Sequence, residues 1–229
     1  MKRFLLCIGM LAVPTFANII VGLPPDPGTG DCFPFGCAYS GEYQQVYTHS
    51  VFPGPITITG LEFFNTVFNN FATSMNSGNW TISLSTTGAD WNTLSGTFAL
   101  NIGGNNTQVF SGNLSQAWAF GDTLAIVLSS PFTYNPANGN LLMDVTVSNA
   151  SDSGGLIFFD SNGFNGITAN GNTIMGRVYG AGRVDHGFGL VTEFVTSPST
   201  VPEPSPGMLF ETGLGLLAIV NLVRLSRAA

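Results

Sequence analysis

Ile56-Thr57-Ile58-Thr59 alternates apolar and polar residues without exception, Gly60 breaks the phase, and Leu61-Glu62-Phe63 takes it up again. A period of two sends one set of side chains to each face of an extended chain. The segment therefore predicts a strand with one buried face, one wet face and a bulge at Gly60. Trp80-Thr81-Ile82-Ser83-Leu84-Ser85 repeats the pattern and directs Trp80, Ile82 and Leu84 into a core. Further strands are predicted at 43–52, 107–111, 124–128, 141–147, 156–159, 174–179 and 188–195. The intervening stretches are turn chemistry, as in Asn76-Ser77-Gly78-Asn79, Gly103-Gly104-Asn105-Asn106 and Asn135-Pro136-Ala137-Asn138-Gly139-Asn140. With no helical period inside this region, 43–196 reads as an all-β domain. Half-buried strands in series predict an antiparallel β-sandwich of two sheets, jelly-roll-like in its strand order.

The flanks have a different character. Lys2 and Arg3, the apolar run 4–13 and the small-x-small triplet Thr15-Phe16-Ala17 make an N-terminal signal peptide of 1–17, so the mature chain is expected to begin at Asn18. The Gly- and Pro-rich stretch 18–42 reads as a leader draped over the surface, with no regular structure. It carries Cys32 and Cys37, the only cysteines left once Cys7 leaves with the signal. Two thiols five positions apart in an exported chain predict a small disulfide loop. Half of a zinc site is the rival reading, but no second Cys or His pair lies near. At the other end, 197–229 opens with a small polar linker and Val201-Pro202-Glu203-Pro204-Ser205-Pro206, where the prolines favour an extended conformation. The apolar run 207–223 follows as a single hydrophobic helix directed at the lipid bilayer. Arg224 and Arg227 then hold the cytoplasmic side. At about 1.5 Å per residue that helix is short for a bilayer, which suits a temporary stop.

Pro202-Glu203-Pro204, Gly213-Leu214-Gly215-Leu216-Leu217 and the pair Arg224 and Arg227 together resemble the PEP-CTERM sorting domain of Gram-negative and related environmental bacteria. The resemblance implies recognition by exosortase, a membrane-anchored precursor, and routing to the cell surface or the extracellular polysaccharide matrix. A looser one covers 43–195. There, Trp80-Thr81-Ile82-Ser83-Leu84-Ser85-Thr86-Thr87, Val109-Phe110-Ser111-Gly112 and the stretch 131–145 are similar to the β-rich domain of cargo proteins in that family, which implies no activity.

Charge narrows the partners. Between 18 and 200, eleven acidic residues face only Arg177 and Arg183, so no basic patch exists to bind nucleic acid or an anionic surface. Asp160-Ser161-Asn162-Gly163 begins like a calcium loop, with Asp160 and Asn162 as weak candidate ligands, but no glutamate closes it and a tight turn is the plainer reading. No cofactor is otherwise implied. Glu62, Asp90, Asp144, Asp160, Asp185 and Glu193 are the carboxylates open to hydrolase work, with Glu62 and Asp144 on wet strand faces, and Asp185-His186 suggests an acid–base pair without a nucleophile motif. Trp91, Trp118 and Tyr134 lie in or beside turns and are the candidates for stacking on sugar rings. The expectation is a non-catalytic, exported surface or matrix protein associated with exopolysaccharide. A carbohydrate-binding, lectin-like module is the alternative, and a polysaccharide-active hydrolase stands behind it.

Overall fold

The phase break at Gly60 is a bulge. In the computed structural model, which describes residues 18–67, 74–75, 77–114, 116–151, 155–163 and 174–197, the strand Ile56–Phe64 changes register against one neighbour between Ile58 and Gly60. Thirteen strands follow in chain order: β1 (Ile19–Val21), β2 (Gly30–Asp31), β3 (Gly41–Tyr47), β4 (Ile56–Phe64), β5 (Ser77–Thr87), β6 (Thr107–Gly112), β7 (Thr123–Tyr134), β8 (Asn140–Ser151), β9 (Phe159–Asn162), β10 (Met175–Tyr179), β11 (Arg183–His186), β12 (Gly189–Leu190) and β13 (Thr192–Ser197). Every strand pair is antiparallel. Four strands form one sheet in the order β1-β13-β4-β7, six form another in the order β11-β10-β3-β8-β5-β6, and β12-β9-β2 make a small third sheet.

The two larger sheets enclose the core in the manner of a β-sandwich. Alternation selects the inward residues: Ile58, Leu61 and Phe63 from β4, Trp80, Ile82 and Leu84 from β5, and Met143 and Val145 from β8 are all fully buried. Tyr47 crosses the layer, its ring 4.9 Å from that of Phe194 and its hydroxyl 2.8 Å from Thr192 Oγ1. The outer face of the six-stranded sheet is partly covered as well. There Val46 and Leu142 form a second cluster with Leu94, against which Ala89, Trp91 and Ile102 from the β5–β6 connection pack.

The third sheet is tied to the sandwich through polar side chains. Gln45, fully buried in β3, donates from Nε2 to the Leu190 carbonyl at 2.9 Å and accepts from the Leu190 amide at 2.8 Å, so its amide replaces a strand partner for β12. Tyr43 donates to the same Gln45 Oε1 at 2.6 Å. Asp160 in β9 accepts from the Thr66 and Val67 amides at 2.8 and 3.0 Å and from the Thr66 hydroxyl at 2.6 Å, which fixes the end of β4.

Several strand expectations need correction. The stretch 18–42 is no draped leader: Ile19–Val21 pairs with β13 and Gly30–Asp31 with β9. Cys32 and Cys37 are disulfide-bonded, with Cα atoms 5.0 Å apart. The loop they close sits directly on Ile157, whose amide donates to the Gly36 carbonyl at 3.0 Å. A side chain at Gly36 would collide with the Ile157 carbonyl, so glycine is required by close approach. The run 188–195 is two strands, and 156–158 precedes β9 outside any strand.

Among the described residues no helix is long and apolar enough to cross a membrane. The signal peptide 1–17, Pro202-Glu203-Pro204, the run 207–223, Arg224 and Arg227 lie outside the described residues.

Candidate functional site

Arg177 is the residue around which the site is built. In β10, Met175, Arg177 and Tyr179 share the face that points into the sandwich, because Arg177 pairs across from Gln45 and Tyr179 from Tyr43. A guanidinium on that face is tolerable only with charged partners. It has two. Its Nη1 donates to Asp31 Oδ2, and its Nε and Nη2 donate to Asp185 Oδ2 at 3.0 and 2.9 Å. Asp31 Oδ1 accepts from the Phe33 amide at 3.2 Å, and Asp185 Oδ1 accepts from Arg183 Nε at 3.2 Å. All four carboxylate oxygens are thus engaged. The guanidinium also lies 4.2 Å from the ring centroid of Phe188 and 4.5 Å from that of Tyr179. Burial alone would lower the Arg177 pKa, but Asp31 beside it more than offsets this and the group is held above its ordinary value. Three elements, β2, β10 and β11, are joined by this one side chain.

Over this network opens a cleft of about 720 Å³, within the usual range for small-ligand sites. Its lining includes Trp91, Arg183, Asp185, His186 and Phe188. His186 meets the Trp91 carbonyl through Nδ1 at 2.8 Å. A carbonyl only accepts, so Nδ1 is the donor, and in the neutral ring Nε2 presents a lone pair. Trp91 is fixed in turn by its backbone N–H, which donates to Asp90 Oδ1 at 2.8 Å.

The sequence-predicted residues scatter. Trp91 reaches the cleft, half-buried. Trp118 does not: it is buried, its ring 5.5 Å from Phe159, and its faces are closed to any ligand. Tyr134 is an inward residue of β7, packed on Phe52 at 4.9 Å with its hydroxyl donating to the Gly139 carbonyl at 2.7 Å. Neither residue can stack on a sugar, because both side chains are buried in the core cluster. Asp160 and Asn162 sit in a strand, not a turn. The hydrogen bonds from Thr66 and Val67 occupy both oxygens of Asp160, Asn162 donates to the Pro24 carbonyl at 2.8 Å, and no group of metal-ligating side chains occurs among the described residues. Asp185 pairs with the two arginines and not with His186.

Two other carboxylate pairs lie on outer sheet faces. Glu62 and Glu193 are directly opposed across β4 and β13, and burial followed by the Glu193 charge raises the Glu62 pKa. Asp144 in β8 is the sharper case. Its Oδ1 is buried without a hydrogen-bond partner, and Glu42 stands on the adjoining strand. Burial, then the Glu42 charge, pushes the Asp144 carboxyl up to about 7. The folded carboxyl keeps its proton to about pH 7 while the unfolded one releases it near the ordinary 3.8. Across that interval the folded state binds more protons, so stability falls as pH rises. Asp144→Asn is expected to flatten this decline, by about 1–2 kcal/mol after allowance for solvent screening, in urea unfolding run from pH 4 to 8. An unchanged slope would mean that Asp144 is ionised throughout.

Compared with known proteins, the chain matches no family model and no curated protein, so the reading of this cleft rests on its own geometry.

Proposed function

We propose that the protein is a non-catalytic, exported component of the cell surface or extracellular matrix, associated with exopolysaccharide and processed by exosortase. The observation that carries this reading is the order of three segments: Pro202-Glu203-Pro204, the apolar run 207–223, and Arg224 with Arg227. The disulfide at Cys32 and Cys37 is in keeping with an oxidising compartment. The cleft supports the non-catalytic half. Asp31 and Asp185 converge there as a hydrolase pair would, but their oxygens are spent on Arg177, Arg183 and the Phe33 amide. A general acid needs a proton to give, and a nucleophile needs a free lone pair.

The strand order supports a jelly roll within the sandwich. Taking β1, β3, β4, β5, β6, β7, β8 and β13 as eight successive strands, the sheets read 1-8-3-6 and 2-7-4-5. On this reading β10 and β11 are additions beside β3, and the cleft lies on them.

Routing is tested by replacing Pro202, Glu203 and Pro204 with alanine. Wild-type protein is expected at the surface with a mass reduced by loss of the tail, and the variant is expected to stay in the membrane at precursor mass. Equal surface display and equal mass for the two proteins would overturn the routing.

A further inference from the structure

We propose that the cleft over Arg177 binds a neutral polysaccharide segment, with Trp91, Arg183 and His186 as its contacts; this deepens, and rests on, the reading of the protein as a partner of exopolysaccharide. The argument begins with what is left unspent. Arg177 is consumed by two carboxylates, whereas the Arg183 side chain is 71 % exposed and only its Nε is bonded, to Asp185. Its two terminal nitrogens make no hydrogen bond among the described residues. They form a donor fork, held in place from behind by Asp185 and lying over the Tyr179 ring at 5.6 Å. The bond from His186 Nδ1 to the Trp91 carbonyl leaves Nε2 as an acceptor on the same cleft. Trp91 adds apolar surface beside His186. Its backbone comes so close to β10 that a Cβ at Gly176 would lie 2.6 Å from the Trp91 carbonyl oxygen, and this contact fixes the residue in place.

A sugar chain asks for this combination. Hydroxyls each donate and accept, so the Arg183 fork and the His186 acceptor, set on opposite faces of β11, read hydroxyls at separate points along a chain, and the C–H face of a ring packs on an aromatic surface. Charge selects among glycans. The cleft balances two arginines against two aspartates, and the chain from 18 to 200 carries eleven acids against those same two arginines. A polyanion would approach against the field of the whole domain, while a neutral chain meets no such barrier.

The test is affinity electrophoresis of the full-length chain in detergent, through gels holding a neutral glucan, a neutral galactomannan or a polyuronate. Retardation is expected with at least one neutral polymer, together with a change in tryptophan fluorescence, since Trp80 and Trp118 are buried and Trp91 is not. Arg183→Ala and Trp91→Ala are each expected to weaken binding tenfold or more with unchanged surface display. Should Trp91→Ala fail to fold, Arg183→Ala alone decides, because its side chain is mostly exposed. Wild-type migration unaltered in every gel, retardation by the polyuronate alone, or full binding by a folded Arg183→Ala would each overturn the proposal. None of these outcomes touches the mass and display measurements on the Pro202, Glu203 and Pro204 variant, so the two readings fail separately.

Discussion

Arg177→Met is expected to lower the unfolding free energy by about 3–5 kcal/mol, measured by urea denaturation near pH 7, because it strands Asp31 in a buried site with only the Phe33 amide as partner. Asp185 suffers less, since Arg183 remains beside it. Combining Arg177→Met with Asp31→Asn should recover a substantial part of the loss, as the asparagine removes the uncompensated charge. The single variant should also regain stability on acidification, when Asp31 can protonate and cease to be a buried anion. A loss below about 1 kcal/mol, or no recovery in the double variant, would show that the network contributes little to folding.

Gln45→Leu is expected to cost about 3 kcal/mol by the same measurement. The change keeps the volume roughly constant but removes the Gln45 partner of the Leu190 amide and of the Tyr43 hydroxyl, while the Leu190 carbonyl keeps only its bond from the Thr192 hydroxyl at 3.1 Å. Exchange of the Leu190 amide proton should accelerate more than that of core amides in β5 or β8, because β12 loses its tie to β3 while the sandwich persists. Uniform acceleration across the chain would mean instead that the whole fold loosens together.

How far this was legible in the sequence differs from one element to the next. The strands at 56–63 and 80–85 could be read because each buries one face, and burial on one face writes itself as a period of two. β1 and β2 could not be: three and two residues are too few to show a period, and their partners lie far away in the chain, at 192–194 and 159–160. Asp144 follows the pattern of a wet face, yet the residues that cover its sheet come from 89–102, and a strand's own alternation says nothing about a connection that packs on it. The ion-pair network left one faint signal. Arg177 alternates in phase with Met175 and Tyr179 in a segment with no other charge, which marks an arginine on an inward face. Its partner Asp31 carried no mark of its own, and Asp185 drew notice only as a neighbour of His186, so the ion-pair network was hidden while its scaffold was not.

The pairing of β1 with β13, and of β13 with β4, also has a mechanical meaning. Tension on the chain beyond Ser197 would enter the domain through a strand hydrogen-bonded on both sides, running antiparallel to each neighbour. Such a load must shear two ladders at once, where an edge strand would peel away one bond at a time. Asn18 reinforces the outer ladder by bonding to Glu193 and to the Thr196 amide. A pull applied there would thus be borne in the middle of a sheet.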